Sequence, residues 1–240
     1  MRPLLVLDGS RVDWRRTSLR MAMYFFGVVV LALGIVIQTE SGLGVASLTC
    51  FADALSRISG VTLGTMVSAT YIAYVFVQLV LLGREFQPRI LLEIGFSVMI
   101  GMFTDVFSAV IPIHPAALPE RVATMLLSLC LTSFGVSLVV NMGVVPNAPD
   151  GLVQVIAEKM RKRFGDVKVV FDSIHVAVAL ALTLAVLGAV GGFGPTTVIS
   201  ALFLGRMINV MNRLFAARLT RAAFGDVPPL ASGVAKAEGE

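Results

Sequence analysis

Six stretches of this chain, at about 21–38, 62–82, 89–112, 122–141, 168–188 and 195–215, are apolar for 18 residues or more. At about 1.5 Å of rise per residue, each is long enough as a helix to cross the roughly 30 Å hydrocarbon layer of a bilayer. Lipid offers no partner to a backbone N–H or C=O, so such runs must satisfy themselves as helices. Composition agrees: 57% of residues are hydrophobic, 14% are charged, and the mean hydropathy is +0.89. A soluble domain of this size needs more polar surface than that. The expectation is an all-α membrane protein.

Two further segments, 46–60 and 151–165, have helical character but are too short or too charged to span. Both follow breaks, "TESGLGVAS" and "NMGVVPNAPDG", whose glycines and prolines cannot continue a helix. The second break reads equally as ordinary turn chemistry before a basic helix lying on the inner membrane surface. The first apolar run reads as a retained span, since its core extends to Gln38 without a small-residue cleavage site.

Basic residues set the expected orientation. Five arginines precede residue 21, and Arg84, Arg89, Lys159, Arg161, Lys162, Arg163 and Lys168 fall in the loops that share that side. Arg213, at the end of the last span, and Arg218, Arg221 and Lys236 beyond it fall on the same side, whereas the opposite loops receive Arg57 and Arg121. Both termini are therefore expected in the cytoplasm. The net charge of +4 is explained by loops that meet anionic phospholipid, and no nucleic acid is needed. Cys50 and Cys130 are distant and lack neighbouring ligands, so free thiols are expected ahead of a disulfide.

The two halves share one order of elements: a span, a break, a short helix, two spans. Gly34 and Gly42 recur as Gly135 and Gly143, 101 residues on; Gly101, Asp105 and Val106 recur as Gly205, Asn209 and Val210, 104 residues on. With three spans per copy, the second copy must be inverted. The reading is a basic tail at 1–20, repeats at 21–113 and 114–215, and a C-terminal tail at 216–240 expected to be disordered.

Ionisable groups inside spans need a reason to be there. Lys168, Asp172 and His175 fall on one helical face. Arg206 is the cation deepest in a span, and a guanidinium grips carboxylates and phosphates. Arg206, Asn209, Asp172 and His175 are therefore candidates for an anion or proton-coupled site, with mere neutralisation of Arg206 by Asp172 or Glu93 as the alternative. Glu40, Asn141, Asn147 and Asp150 lie in or beside the two breaks, with Asp150 a candidate helix cap, and Asp105 sits nearer the outer side. Glu93, four residues from Arg89, is expected to snorkel to the interface. "GGFGPTT" reads as an outer turn with Pro195 in the first turn of the last span, because a phosphate-binding loop needs a preceding strand and a lysine. No metal cluster, cofactor motif or nucleophile–base set is apparent, so an enzyme is not expected.

The glycine-bearing first break, "NAPDG", the basic helix after it and "VKVVFD…GGFGPTT" resemble the YczE/YyaS/YitT family of bacterial integral membrane proteins. The resemblance covers about residues 21–215 and implies a duplicated membrane core in the bacterial plasma membrane, without naming a substrate. Taken together, these features suggest a small-solute transporter working by alternating access, with ion or proton coupling open and Arg206 favouring a negatively charged solute. The competing reading is a protein that regulates or scaffolds a partner through its basic cytoplasmic segments.

Overall fold

The computed structural model describes residues 7–8, 11–85, 88–111, 113–189 and 191–224. A minimal antiparallel pairing of β1 (Leu7–Asp8) with β2 (Arg11–Val12) precedes the helices. These are α1 (Trp14–Glu40), α2 (Ser47–Ser59), α3 (Leu63–Leu82), α4 (Leu92–Val110), α5 (Leu118–Met142), α6 (Ala148–Met160), α7 (Phe164–Leu187) and α8 (Pro195–Met211). A π-helical turn, Asn212–Ala216, joins α8 to α9 (Ala217–Phe224). Six stretches are long and apolar enough to cross a membrane: α1, Leu63–Glu85, α4, α5, α7 and Pro195–Phe224. The chain is a membrane-spanning helical protein, with α2 and α6 as its two short helices.

Several boundaries differ from the sequence reading, each for a local reason. The segment read as a tail, 1–20, is partly helix: Asp13 caps α1 by accepting the Arg16 N–H at 3.0 Å, so helix begins at Trp14. In the segment 216–240, expected to be disordered, α9 continues the last helix to Phe224, and residues 225–240 lie outside the described ones. Asp150 is not the cap of α6. That helix starts at Ala148, with Asn147 before it and Pro149 in its first turn, which leaves Asp150 inside the turn. Pro195 does open α8.

The centre of the molecule is the antiparallel pair α1 and α5. Small residues let their backbones touch. A Cβ added to Gly135 would lie 2.7 Å from the Leu31 nitrogen, and one on Gly34 would lie 2.5 Å from the Thr132 hydroxyl. Arg20 locks one end of the pair: it is fully buried and donates to the carbonyls of Met142 (2.7 Å) and Gly143 (3.0 Å) at the end of α5. A cation satisfying the last carbonyls of a helix complements the negative end of its dipole.

Around this pair, α4 packs on α1 and α8 on α5, while α2 packs on α7 and α6 on α3. Each short helix thus lies along a long helix of the other half of the chain. α3 and α4 pack closely: Gly101 meets Gly64 and Ser68, and Asp105 accepts from the Gly64 N–H (2.7 Å), Thr62 (2.7 Å) and Thr65 (3.2 Å). α7 and α8 make no comparable contact, and nothing lies within 4 Å of a Cβ built at Gly165 or Gly205.

Candidate functional site

The two breaks and the first turns of α2 and α6 converge on α7. Lys168 extends its ammonium to Asp150 Oδ1 of α6 (2.9 Å) and to Asp172 Oδ1, one turn along α7 (3.2 Å). Ser47, the first residue of α2, donates to Asp172 Oδ2 at 3.2 Å. One lysine therefore ties together the starts of both short helices. The three charged side chains are largely but not wholly covered, at 22%, 30% and 15% exposure for Lys168, Asp150 and Asp172. Asp172 stands eight residues into α7, about 12 Å along the helix at 1.5 Å per residue. The N-terminal ends of α2 and α6, beside these carboxylates, carry partial positive charge.

Aromatic rings from α3 and α7 close the cluster on one side. His175 donates through Nδ1 to the Phe171 carbonyl at 2.7 Å, and its ring lies 4.1 Å from Phe171, 5.4 Å from Tyr74 and 5.9 Å from Phe51. Tyr71 stacks on Tyr74 with ring centres 6.1 Å apart, and both feel the Asp172 charge. Beyond the Lys168 and Asp172 atoms held in the ion pairs, two buried atoms here have no hydrogen-bond partner: the Tyr74 hydroxyl and Asn147 Oδ1. Such groups are costly to bury unmet. One turn from this cluster, Gln78 of α3 donates to Glu93 of α4 (2.8 Å) and to the Ala148 carbonyl at the start of α6 (3.2 Å). Glu93 does not snorkel outward as expected; it is 1% exposed, because Gly151 of α6 seats directly on the Gln78–Glu93 pair.

The expected residues divide into groups. Asp172, His175, Asp150 and Asn147 come together, and Lys168, Ser47, Tyr71 and Tyr74 join them. Arg206 does not: it is exposed on α8, over the ring of Phe203 on its own helix at 5.4 Å. Neither Asp172 nor Glu93 is its ion-pair partner among the described residues. Asn209 stays on α8 with it. Asn141 belongs to a separate network, donating to Asn212 Oδ1 in the π-helical turn (2.7 Å), which Ser137 also contacts (2.6 Å). That polar link anchors α5 to the last helix.

Glu40 meets His114 at 3.3 Å, and with Asp53, Arg57 and Asp105 it lines a cavity of about 460 Å³. Asp53 accepts from Arg57 at 2.6 Å, which raises the arginine pKa further. A second cavity, also about 460 Å³, is lined by Gln78, Glu85, Glu93, Gly151, Gln154 and Glu158. Both cavities carry carboxylates. Cys50 and Cys130 are free thiols.

Sequence reasoning missed Lys168 as a site residue because it lies close enough to the helix end to count as a loop cation. Its position four residues before Asp172 was the available signal. Ser47 and Tyr74 gave none, since only the fold brings α2 and α3 against α7. The family model for DUF6198, a family of unknown function, matches residues 18–213, and the chain belongs to that family. No curated protein and no solved structure matches the chain.

Proposed function

We propose that this member of DUF6198 is a small-solute transporter that works by alternating access. The observation that carries the reading is the junction of Ser47, Asp150, Asp172 and Lys168, where the starts of the two short helices meet on the long apolar helix α7, which on this reading places them within the membrane. Broken backbone is tolerated at that depth only where it is buried in protein or lines a polar path. Half-helix ends converging on one site are the usual construction of inverted-repeat transporters.

The packing supports the inverted 3+3 arrangement. If α1 to α4 correspond to α5 to α8, then α1–α4 corresponds to α5–α8, α2–α7 to α6–α3, and α2–α3 to α6–α7; all of these pairs are in contact. The departure is α3–α4, which is closed, against α7–α8, which is not. A molecule whose halves exchange conformations has one closed and one open half in either end state. The resemblance to the YczE/YyaS/YitT family, a bacterial plasma-membrane location and cytoplasmic termini belong to the same proposal. A negatively charged solute loses its support, because Arg206 stands away from the junction and the groups that meet there are mainly carboxylates.

Reconstituted protein in liposomes, given a panel of small amines, amino acids and acids, tests this. Flux of at least one compound is expected, falling at least tenfold in Asp172→Asn, the order of loss for an interaction used at the site. Flux unchanged in Asp172→Asn and Lys168→Met would sink the site.

A second reading has its own observation. Lys159, Arg161, Lys162 and Arg163 form an exposed basic run between α6 and α7, suited to lipid headgroups or an acidic partner. Neutralising these four residues would abolish a scaffold's activity while leaving flux in place.

A further inference from the structure

We infer that the Lys168–Asp150–Asp172 junction binds one small monovalent cation, of alkali-metal or methylammonium size. The inference deepens the transport reading by naming the class of cargo or coupling ion, and it rests on the same junction. The charges first: two carboxylates share one ammonium, and no other cation lies within ion-pair range of them among the described residues. The cluster therefore holds a formal charge of −1, and a site inside a membrane span is held at lowest energy near neutrality. One added positive charge brings it there.

Hydrogen-bond accounting gives the same answer. The acceptors are the four carboxylate oxygens, each able to take two hydrogen bonds, with Asn147 Oδ1 and the Tyr74 oxygen; the donors are the three N–H of Lys168, the Ser47, Tyr71 and Tyr74 hydroxyls and the two Asn147 amide N–H. Asn147 and Tyr74 are each 7% exposed, and the two oxygens named stand without partners. Acceptors are in excess, which is the shell that an alkali ion or an ammonium group requires. A proton would occupy one carboxylate oxygen and leave Asn147 Oδ1 unmet. Lys168 marks the place by example: an ammonium already sits between the two carboxylates.

The test uses purified full-length protein in detergent, with thermal unfolding followed in N-methyl-D-glucamine chloride. Lithium, sodium, potassium or methylammonium chloride replaces it at constant ionic strength. At least one of the four is expected to raise the melting temperature saturably, as one ligand per protein. Asp172→Asn, or Asp150→Asn should that variant not fold, is expected to abolish the effect. Lys168→Met takes the cluster to −2 and is expected to lower the half-saturating concentration roughly tenfold or more, a gain that a merely structural lysine would not give. Absence of any ion-specific stabilisation overturns the inference, as does an effect that persists unchanged in Asp172→Asn. So does a pH-dependent step that disappears in Asp172→Asn while all four salts behave alike, since a proton would then fill the role. For that arm, the groups facing Asp172 are Lys168 and His175 on its own helix, Asp150 on α6, and Tyr71 and Tyr74 on α3, with Glu93 beyond them. Binding is read here without a gradient. A protein that binds the ion but moves no solute would sink the transport reading alone, and flux independent of the ion would sink this inference alone.

Discussion

At the scale of single residues, burial in α2 separates the two thiols chemically. The Cys50 side chain is 1% exposed, and burial, with the Asp53 carboxylate adding to it, pushes its thiol up to about 11 from the usual 9.0. Only the thiolate is nucleophilic, so at pH 8 the reactive fraction of Cys50 falls about a hundredfold below that of an ordinary thiol. In a Cys130→Ser background, a small water-soluble alkylating agent is expected to label Cys50 that much more slowly than a peptide thiol at pH 8. The rate should climb about tenfold per pH unit until pH nears 11. Labelling at the peptide rate at pH 8 would show the residue to be neither buried nor charge-perturbed. The same scale decides what the sequence could tell of the site. Asp172 and His175 were legible because an ionisable group in an apolar run stands out, and Asp150 because it adjoins a break. Arg206 stood out for the same reason but lies apart from the junction, exposed on α8 with the Phe203 ring of its own helix beside it. Arg20 is the converse. It reads as one of several tail arginines, yet it is fully buried against the end of α5, a contact 122 residues away that no local pattern encodes.

Elements were more legible than their contacts. Apolar length fixed the long helices, and proline and glycine punctuation located the short ones, because both signals are local. What remained hidden was which faces meet, since in lipid every face is apolar and pairing depends on shape. Glycines give that shape partly away. Gly34 and Gly135 seat α1 against α5, whereas Gly205 seats against nothing in this conformation. Gly135→Val would put side-chain atoms into the α1 backbone near Leu31, where no rotamer relieves the overlap. A loss of about 1–3 kcal/mol is expected, at the scale of overpacking in a close-fitted core. Gly205→Val should stay within roughly 0.5 kcal/mol, as for a surface site. Denaturant unfolding in detergent micelles measures both, and equal losses would mean that the glycines do not report helix contact.

For the whole molecule, the contrast between its halves is more informative than their likeness. α4 closes on α3 by placing Asp105 at the first turn of α3, against Gly64, Thr62 and Thr65. The residue 104 positions later is Asn209 on α8, and the residues 101 positions after Thr65 and Gly64 are Asp166 and Gly165, in the first turn of α7. Every part needed for an equivalent closure is present, but α8 and the π-helical turn after it lean on α5, the turn through Phe134–Phe215 and the Asn141–Asn212 link. If the halves exchange states during transport, α8 must swing so that Asn209 caps α7 while Asp105 releases α3. Paired cysteines test this in a protein lacking Cys50 and Cys130. Disulfides form only where Cα atoms come within about 7 Å. Thr65→Cys with Asp105→Cys is expected to bridge in the conformation described, and Asp166→Cys with Asn209→Cys only in the opposite one. In a protein carrying both pairs, either bridge should exclude the other, and each should stop flux until reduced. Gly205→Val should then cut flux while sparing stability, because its side chain obstructs only the closure that has yet to occur. Both bridges forming together in one molecule would leave the halves as two independent packings rather than the two ends of one motion.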